Sequence, residues 1–248
     1  VLLIRLIGNF GIMNIVITGG SKGLGKAIAE KFAGDKQGHT VLLCARNKEL
    51  LEYEGKHLQG RFPRATIKTM PCDLGIREQV NEFAEWVMSE IYAPDVLVNN
   101  AGSFIPGSVH NEPEGALEKL MAVNLYSAYH LTRALLPRMM ENKSGHIFNI
   151  CSIASLQAYP NGGAYSISKF ALAGFSRNLR EEMKPYGIKV TAVYPGAAWT
   201  DSWSGSGIDP KRMMEAKDVA EMIYTAAYLS PQACVEEIVL RPQLGDLP

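Results

Sequence analysis

Short runs of aliphatic and β-branched residues alternate with longer amphipathic stretches along almost the whole chain, and no other feature restricts the fold as much. The runs are NIVITGG, HTVLLCA, ATIKTMPCD, PDVLVNNAG, GHIFNICS, GIKVTAVYPG and VEEIVLRP. Between them lie LGKAIAEKFAG, closed by Gly34, and helical patterns over Arg77–Tyr92, Glu114–Glu141, Ala164–Lys184 and Ala216–Leu229. Strands that alternate with helices read as βαβ units, whose right-handed crossovers build a parallel sheet. The expectation is a doubly wound α/β fold with seven strands, one for each run, and helices on both faces. With 248 residues and no repeat, low-complexity tract or linker, the chain reads as one domain. Pro137 falls inside the Glu114–Glu141 pattern and is expected to kink or shorten that helix, since proline lacks the donor for an intrahelical bond.

Several function classes drop out on composition. Lys and Arg together number 25, as do Asp and Glu, and no basic tract marks a nucleic-acid or membrane surface. Cys44, Cys72, Cys151 and Cys234 are too widely spaced for a zinc site or a disulfide framework. They read as small buried hydrophobes of a reducing, cytoplasmic compartment. The five histidines form no ligand cluster, so no metal is implied. His146 precedes a strand, at the wrong end of the sheet for catalysis, and reads as structural. The opening VLLIRLIGNFGI is too short to span a bilayer and lacks a signal-peptide cleavage pattern. Residues 1–12 are therefore expected to be an extension, with the domain occupying 13–248.

The turn TGGSKGLGKAIAE follows a strand and opens a helix, the context in which a glycine motif binds a dinucleotide. The first-turn amides of a helix have no intrahelical partners, and its dipole favours an anion. Gly19, Gly23 and Gly25, with Ser21, Lys22 and Leu24 between them, are candidate cofactor contacts of a Rossmann-type fold. The spacing is wider than Gly-x-Gly-x-x-Gly. Lys22 is a cation where a pyrophosphate is already served by backbone. The Rossmann rule places an acidic residue near the end of the second strand to bind the ribose 2′-hydroxyl of NAD. Here Ala45-Arg46 stands there instead. Lys22 and Arg46 together suit an additional phosphate, the 2′-phosphate of NADP(H).

The stretch AYSISKFAL places Tyr165 and Lys169 four residues apart, on one face of a helix with Cβ atoms about 5–6 Å apart. A phenol with an ordinary pKa of about 10 needs help to exchange protons at neutral pH. A neighbouring ammonium is expected to lower it. Ser152 closes the GHIFNICS run at the carboxyl edge of the sheet, where α/β folds bind ligands, and can hold a substrate oxygen. Trp199 and Trp203, in the loop Ala197–Pro210, lie close to the same edge and would suit a compact or planar substrate.

On these motifs the chain resembles the short-chain dehydrogenase/reductase family from Met13 to about Pro242. The glycine turn matches, as do CDL through Asp73 and Leu74, NNAG through Asn100, Ala101 and Gly102, VNL through Asn124, and PG with a later threonine as Pro195, Gly196 and Thr200. Ser152, Tyr165 and Lys169 stand thirteen and four residues apart, in the family's register. The resemblance implies that Tyr165 is the general acid in reduction and that Lys169 holds the nicotinamide ribose and lowers the tyrosine pKa. It also implies that Ser152 orients the carbonyl and that Asn124 anchors a water relay. The tail CVEEIVLRPQLGDLP resembles the branch with sepiapterin reductases and hydroxy-acid dehydrogenases. A small carbonyl substrate and a homodimer or homotetramer follow from the same resemblance. The alternatives are a 3-oxoacyl-type reductase and a regulator that binds NADP(H) without turning it over.

NADPH is expected to bind more tightly than NADH. One charge-assisted hydrogen bond to the 2′-phosphate is worth about 1.5–3 kcal/mol, roughly tenfold to a hundredfold in affinity. Titration of both dinucleotides checks this, and equal dissociation constants would overturn it. Ala45→Asp, which sets a carboxylate against that phosphate, is expected to reverse the order.

Overall fold

A computed structural model describes residues 11–200 and 207–247. All of the expected N-terminal extension except Gly11 and Ile12 lies outside these residues, as does Trp203. The seven expected runs form one parallel sheet. In chain order they are β1 (Asn14–Thr18), β2 (Thr40–Ala45), β3 (Thr66–Pro71), β4 (Val96–Asn99), β5 (Gly145–Ile150), β6 (Ile188–Pro195) and β9 (Glu237–Leu240). Two short strands, β7 (Ala198–Trp199) and β8 (Met214–Glu215), pair separately beside the sheet. The spatial order is β3-β2-β1-β4-β5-β6-β9. The chain winds outward from β1 and then returns to lay β4 on β1's other side. That reversal opens a crevice beyond the carboxyl ends of β1 and β4.

The helices are α1 (Gly23–Ala33), α2 (Lys48–Arg61), α3 (Arg77–Glu90), α4 (Ala116–Met121), α5 (Ser127–Asn142), α6 (Gly163–Met183) and α7 (Ala216–Ala227). Successive strand side chains point to opposite faces, so each strand feeds two cores. Ile15 and Ile17 pack with Ile28 and Phe32 of α1, Leu51 and Leu58 of α2, and Ile223 of α7. Val16 packs on the other face with Phe83 of α3, Leu131 and Leu135 of α5, and Leu179 of α6. Helix α2 is absent from the helices expected above. Its sequence is mostly polar, and only Leu51, Glu54, Gly55 and Leu58 are buried, so it shows little periodicity. Asn47 starts it by accepting the Leu50 N–H at 2.8 Å.

The Glu114–Glu141 pattern is one helical run from Ala116 to Asn142, widened by a π-helical turn over Ala122–Tyr126. Helix α5 passes Pro137 and continues to Asn142, so of the two expected effects, a kink or a shortening, the proline does not shorten it. One missing donor is outweighed by Leu131, Leu135 and Met139, which are fully buried against the sheet. The irregular turn sits upstream, at Asn124. A buried polar ladder ties these helices to the strand ends. Asn99 Nδ2 donates to Thr132 Oγ1 on α5 at 3.0 Å and to Asn149 Oδ1 on β5 at 2.8 Å. Asn149 Nδ2 then donates to Ser176 Oγ on α6 at 2.9 Å. At the opposite edge His146 is buried, and its Nε2 lies 2.7 Å from Thr191 Oγ1. Burial and the Lys189 charge push its pKa down to about 3, which fits the structural reading.

Candidate active site

The glycine turn lies over the crevice between β1 and β4. Gly19 and Gly23 have φ of +67° and +57°, the left-handed region where a side chain is strained. A Cβ on Gly25 would stand 2.2 Å from the Gly19 carbonyl oxygen, so α1 can close on the turn only with glycine there. Thr18 Oγ1 accepts the N–H groups of Asn100 and Ala101, each at 2.9 Å. Asn100 Nδ2 answers by donating to the carbonyls of Thr18 at 2.8 Å and Gly19 at 3.2 Å. The Asn100 side chain, expected at the cofactor, has both amide hydrogens committed to the turn. Carbonyls turned into a crevice need donors, and Asn100 supplies them.

The other expected contacts of the adenosine side are gathered by backbone bonds. Gly20 N donates to the Cys44 carbonyl and Cys72 N to the Ala45 carbonyl, each at 3.0 Å. The segments bearing Ser21, Lys22, Arg46, Asp73 and Leu74 are thereby brought to one edge. Ser21 and Leu74 are buried, whereas Lys22 and Arg46 are exposed. No acidic residue stands in the first turn of α1. Among the described residues, no side chain pairs with Lys22 or Arg46, and both stand exposed. Asp73 Oδ1 is used locally by Gly75 N at 2.9 Å. Thr200 lies over the head of α1, with its Cγ2 3.4 Å from where a Gly23 Cβ would be. Pro195 ends β6, and Gly196 N donates to the Leu240 carbonyl at 2.8 Å.

On the far side of Ala101, a Cβ on Gly102 would lie 3.3 Å from Asn124 Oδ1 and 3.6 Å from Lys169 Nζ. Asn124, in the π-helical turn, is buried. Its Oδ1 accepts Ser103 N at 2.7 Å, and its Nδ2 donates to the Ser103 carbonyl at 3.0 Å and to Ser168 Oγ at 2.9 Å. Both amide hydrogens are thus held by protein. Ser152 follows β5, and its Oγ accepts Ala154 N at 3.1 Å. Tyr165 and Lys169 stand one turn apart on α6, with Lys169 Nζ 5.9 Å from the Tyr165 ring centre. Lys169 is 5% exposed, and its Nζ donates to the Ile150 carbonyl at 2.8 Å.

The electrostatics depart from expectation. The Tyr165 pKa is raised, not lowered, because burial disfavours the phenolate by more than the Ser152 hydroxyl favours it. Lys169 is pushed down to about 8 by burial, against a partial opposing pull from the Cys151 thiol. Its ammonium is turned to the Ile150 carbonyl. Cys151 is itself raised to about 11 by burial, as befits a packed thiol. Three further features are invisible in motif spacing: the Thr18 hydroxyl clasp, the grip of Asn124 on Ser103, and Phe104. The Phe104 ring meets Tyr165 edge-on, with centres 5.0 Å apart at 87°. Only the Thr18 clasp had a signal, the threonine that opens the glycine run.

A sequence profile of the short chain dehydrogenase family matches residues 13–209. An oxidoreductase of Staphylococcus saprophyticus is 30% identical over 227 residues, spanning 92% of this chain and 96% of its own. The crystal structure of a metagenomic short-chain oxidoreductase in complex with NADP shares 32% identity. It covers 93% of this chain and 97% of its own, with a TM-score of 0.80. L-sorbose reductase from Gluconobacter frateurii, complexed with NADPH and L-sorbose, shares 25% identity over 94% of this chain and 96% of its own, with a TM-score of 0.85.

The buried ammonium has a consequence for stability. A lysine lowered from 10.5 to about 8 in the folded protein opposes folding while it is charged in both states. Between those two pH values the unfolded chain binds more proton, so stability rises with pH. Against Lys169→Met, wild type is expected to gain about 1–2 kcal/mol between pH 8 and 9.5. Guanidinium denaturation of both proteins at the two pH values checks this, and a constant difference would refute it.

Proposed function

The chain belongs to the short-chain dehydrogenase/reductase family, and from that premise we propose that it reduces a carbonyl of a small soluble substrate to an alcohol with NADPH. The observation that carries this reading is the meeting of Ser152, Tyr165 and Lys169 at the carboxyl edge of the sheet, beside a glycine turn flanked by two outward-facing cations. One catalytic and cofactor domain spans residues 13–248. The cradle fits a phosphorylated dinucleotide on its own geometry. Gly25 admits no side chain, the first turn of α1 bears no carboxylate, and Lys22 and Arg46 face outward. Lys22 and Arg46 take the 2′-phosphate, and the backbone of Gly19, Gly23 and the first turn of α1 takes the pyrophosphate. Asp73 and Leu74 border the adenine, while Ala101, Gly102, Pro195, Gly196 and Thr200 border the rest. Asn100 contributes by shaping the turn.

When bound, NADPH supplies a hydride to the carbonyl carbon. Tyr165 gives its phenolic proton to the carbonyl oxygen, and the Ser152 hydroxyl donates a hydrogen bond to that same oxygen. The raised Tyr165 pKa keeps the proton on the phenol at neutral pH, ready for reduction. Lys169 spends one donor on Ile150 and has two left for ribose hydroxyls. Asn124 Oδ1 keeps one lone pair after Ser103 and anchors the water that returns a proton to Tyr165. Phe104 and Trp199, which are 56% and 38% exposed, supply apolar walls for a compact substrate. The sugar of the sorbose reductase complex agrees with a small substrate. With four unpaired cysteines, the compartment we assign is the cytoplasm.

Assembly follows from the face that carries α5 and α6. Tyr126, Ile167 and Phe170 are 48%, 45% and 45% exposed there, and Gly174 has open space before it. We place this face against its copy across a two-fold axis, as at least a homodimer. Light scattering at micromolar concentration checks the mass, and a monomer would refute it.

Tyr165→Phe removes the proton donor and leaves the ring's packing in place. Turnover is expected to fall by about 10²–10⁴-fold, with NADPH affinity little changed. Lys169→Ala is expected to lose both. Steady-state assays over a carbonyl panel, with binding measured separately, check this. Wild-type turnover in Tyr165→Phe would overturn the mechanism.

A further inference from the structure

The residues after β4 form a strap over the head of α6, fastened at each end. Ser103, at one end, is gripped through its N–H and its carbonyl by Asn124, at 2.7 and 3.0 Å. Ile105 packs with Ala116, Leu120, Ala164 and Tyr165 in a small cluster of its own. Gly107 N donates to the Asn161 carbonyl at 3.3 Å, and Ser108 Oγ donates to Asn161 Oδ1 at 3.1 Å. Glu112, at the other end, accepts the Ala164 N–H on its Oε2 at 2.9 Å.

That last bond lies one residue from the proton donor. Helix α6 brings no cap of its own: Gly162 has no side chain, and no acidic residue stands in the first turn. Ala164 is 1% exposed, so its N–H has no ready route to solvent. Gly163, at φ +26°, makes the contact possible. A Cβ there would stand 2.4 Å from Glu112 Oε2 and 2.5 Å from the Gly107 carbonyl oxygen. The Gly162-Gly163 pair is the opening through which the strap reaches the helix backbone. A carboxylate that caps a helix from a distant segment fixes the first turn against that segment, and the charge suits the positive helix end.

We propose that Glu112 is a positioning residue for Tyr165, setting the head of α6 against the strap so that the phenol faces the substrate oxygen. The role rests on the reading of Tyr165 as proton donor. Glu112 touches neither reacting atom, so its loss acts on the geometry of the proton transfer and leaves the adenosine and phosphate side intact. Misplacement of a reacting group by about 1 Å can cost about a hundredfold in rate.

The test compares Glu112→Ala, Glu112→Gln and Tyr165→Phe in the full chain. Glu112→Ala is expected to lower kcat by about tenfold or more, with KM changed less than kcat and the NADPH dissociation constant within about twofold. Glu112→Gln keeps a carbonyl acceptor at the same reach and is expected to recover most of that loss. If Glu112→Ala is insoluble, Glu112→Asp withdraws the acceptor by one methylene and is expected to lose about threefold or more in kcat. A Glu112→Ala enzyme with wild-type kcat would overturn the proposal. So would a loss that merely follows the fraction of protein able to bind NADPH, or a Glu112→Gln as impaired as Glu112→Ala. Wild-type turnover in Tyr165→Phe would remove the underlying reading instead, so the two failures are distinguishable.

Discussion

Thr18 and Asn100 tie the end of β1 to the bend after β4, at the point where the winding of the sheet reverses. Strand β1 begins one half and β4 the other, and the crevice between their carboxyl ends would otherwise expose unpaired backbone. The Thr18 hydroxyl takes two N–H groups from the Asn100–Ala101 bend, and the Asn100 amide returns two bonds to the carbonyls of Thr18 and Gly19. These bonds are part-buried, and an unpaired backbone donor shielded from water costs up to about 1–3 kcal/mol, so each side of this exchange supports the other. The glycine turn is thus bonded in place by the protein's own groups. Helix α1 closes on it because Gly25 presents nothing to the Gly19 carbonyl.

Beneath that clasp, polar side chains run through the core toward the other half of the site. Thr132, Asn99, Asn149 and Ser176 form a chain of bonds from α5 across β4 and β5 to α6. Such a network specifies one arrangement of helices on the sheet, because a shifted register would strand its members without partners. It fixes α6 from below, at its middle, while the strap meets α6 at its head. Tyr165 lies between the two anchor points.

Burial then shifts the titration of the pair on α6. Desolvation raises the tyrosine and lowers the lysine, so both are biased toward their neutral forms. A neutral phenol is a proton donor, which suits the reductive direction. The spacing of Tyr165 and Lys169 invites the opposite conclusion, that the ammonium stabilises a phenolate. The spacing places the two on one helix face, while burial raises the phenol and the Lys169 Nζ is bonded to the Ile150 carbonyl.

Much of this was legible in the chain. The alternation of strand and helix patterns determined the class of fold, because a period of two and a period near 3.6 cannot be satisfied by the same backbone. Seven runs became the seven strands of the central sheet. The helix spacing of Tyr165 and Lys169, and the absence of a carboxylate at Ala45-Arg46, are local properties that a sequence displays directly. Helix α2 was missed because a mostly polar helix has little periodicity to read. Pro137 does not end its helix, because a local rule about one hydrogen bond yields to the packing of Leu131, Leu135 and Met139. What only the tertiary structure decided are contacts and environments: Glu112 on the Ala164 amide, Asn100 turned to the glycine loop, Lys169 on Ile150, and the sign of the tyrosine shift. Hydrogen-bond partners 52 or 82 residues apart have no period or spacing to connect them. Desolvation likewise belongs to no single residue, since it is set by whatever the fold packs around the group.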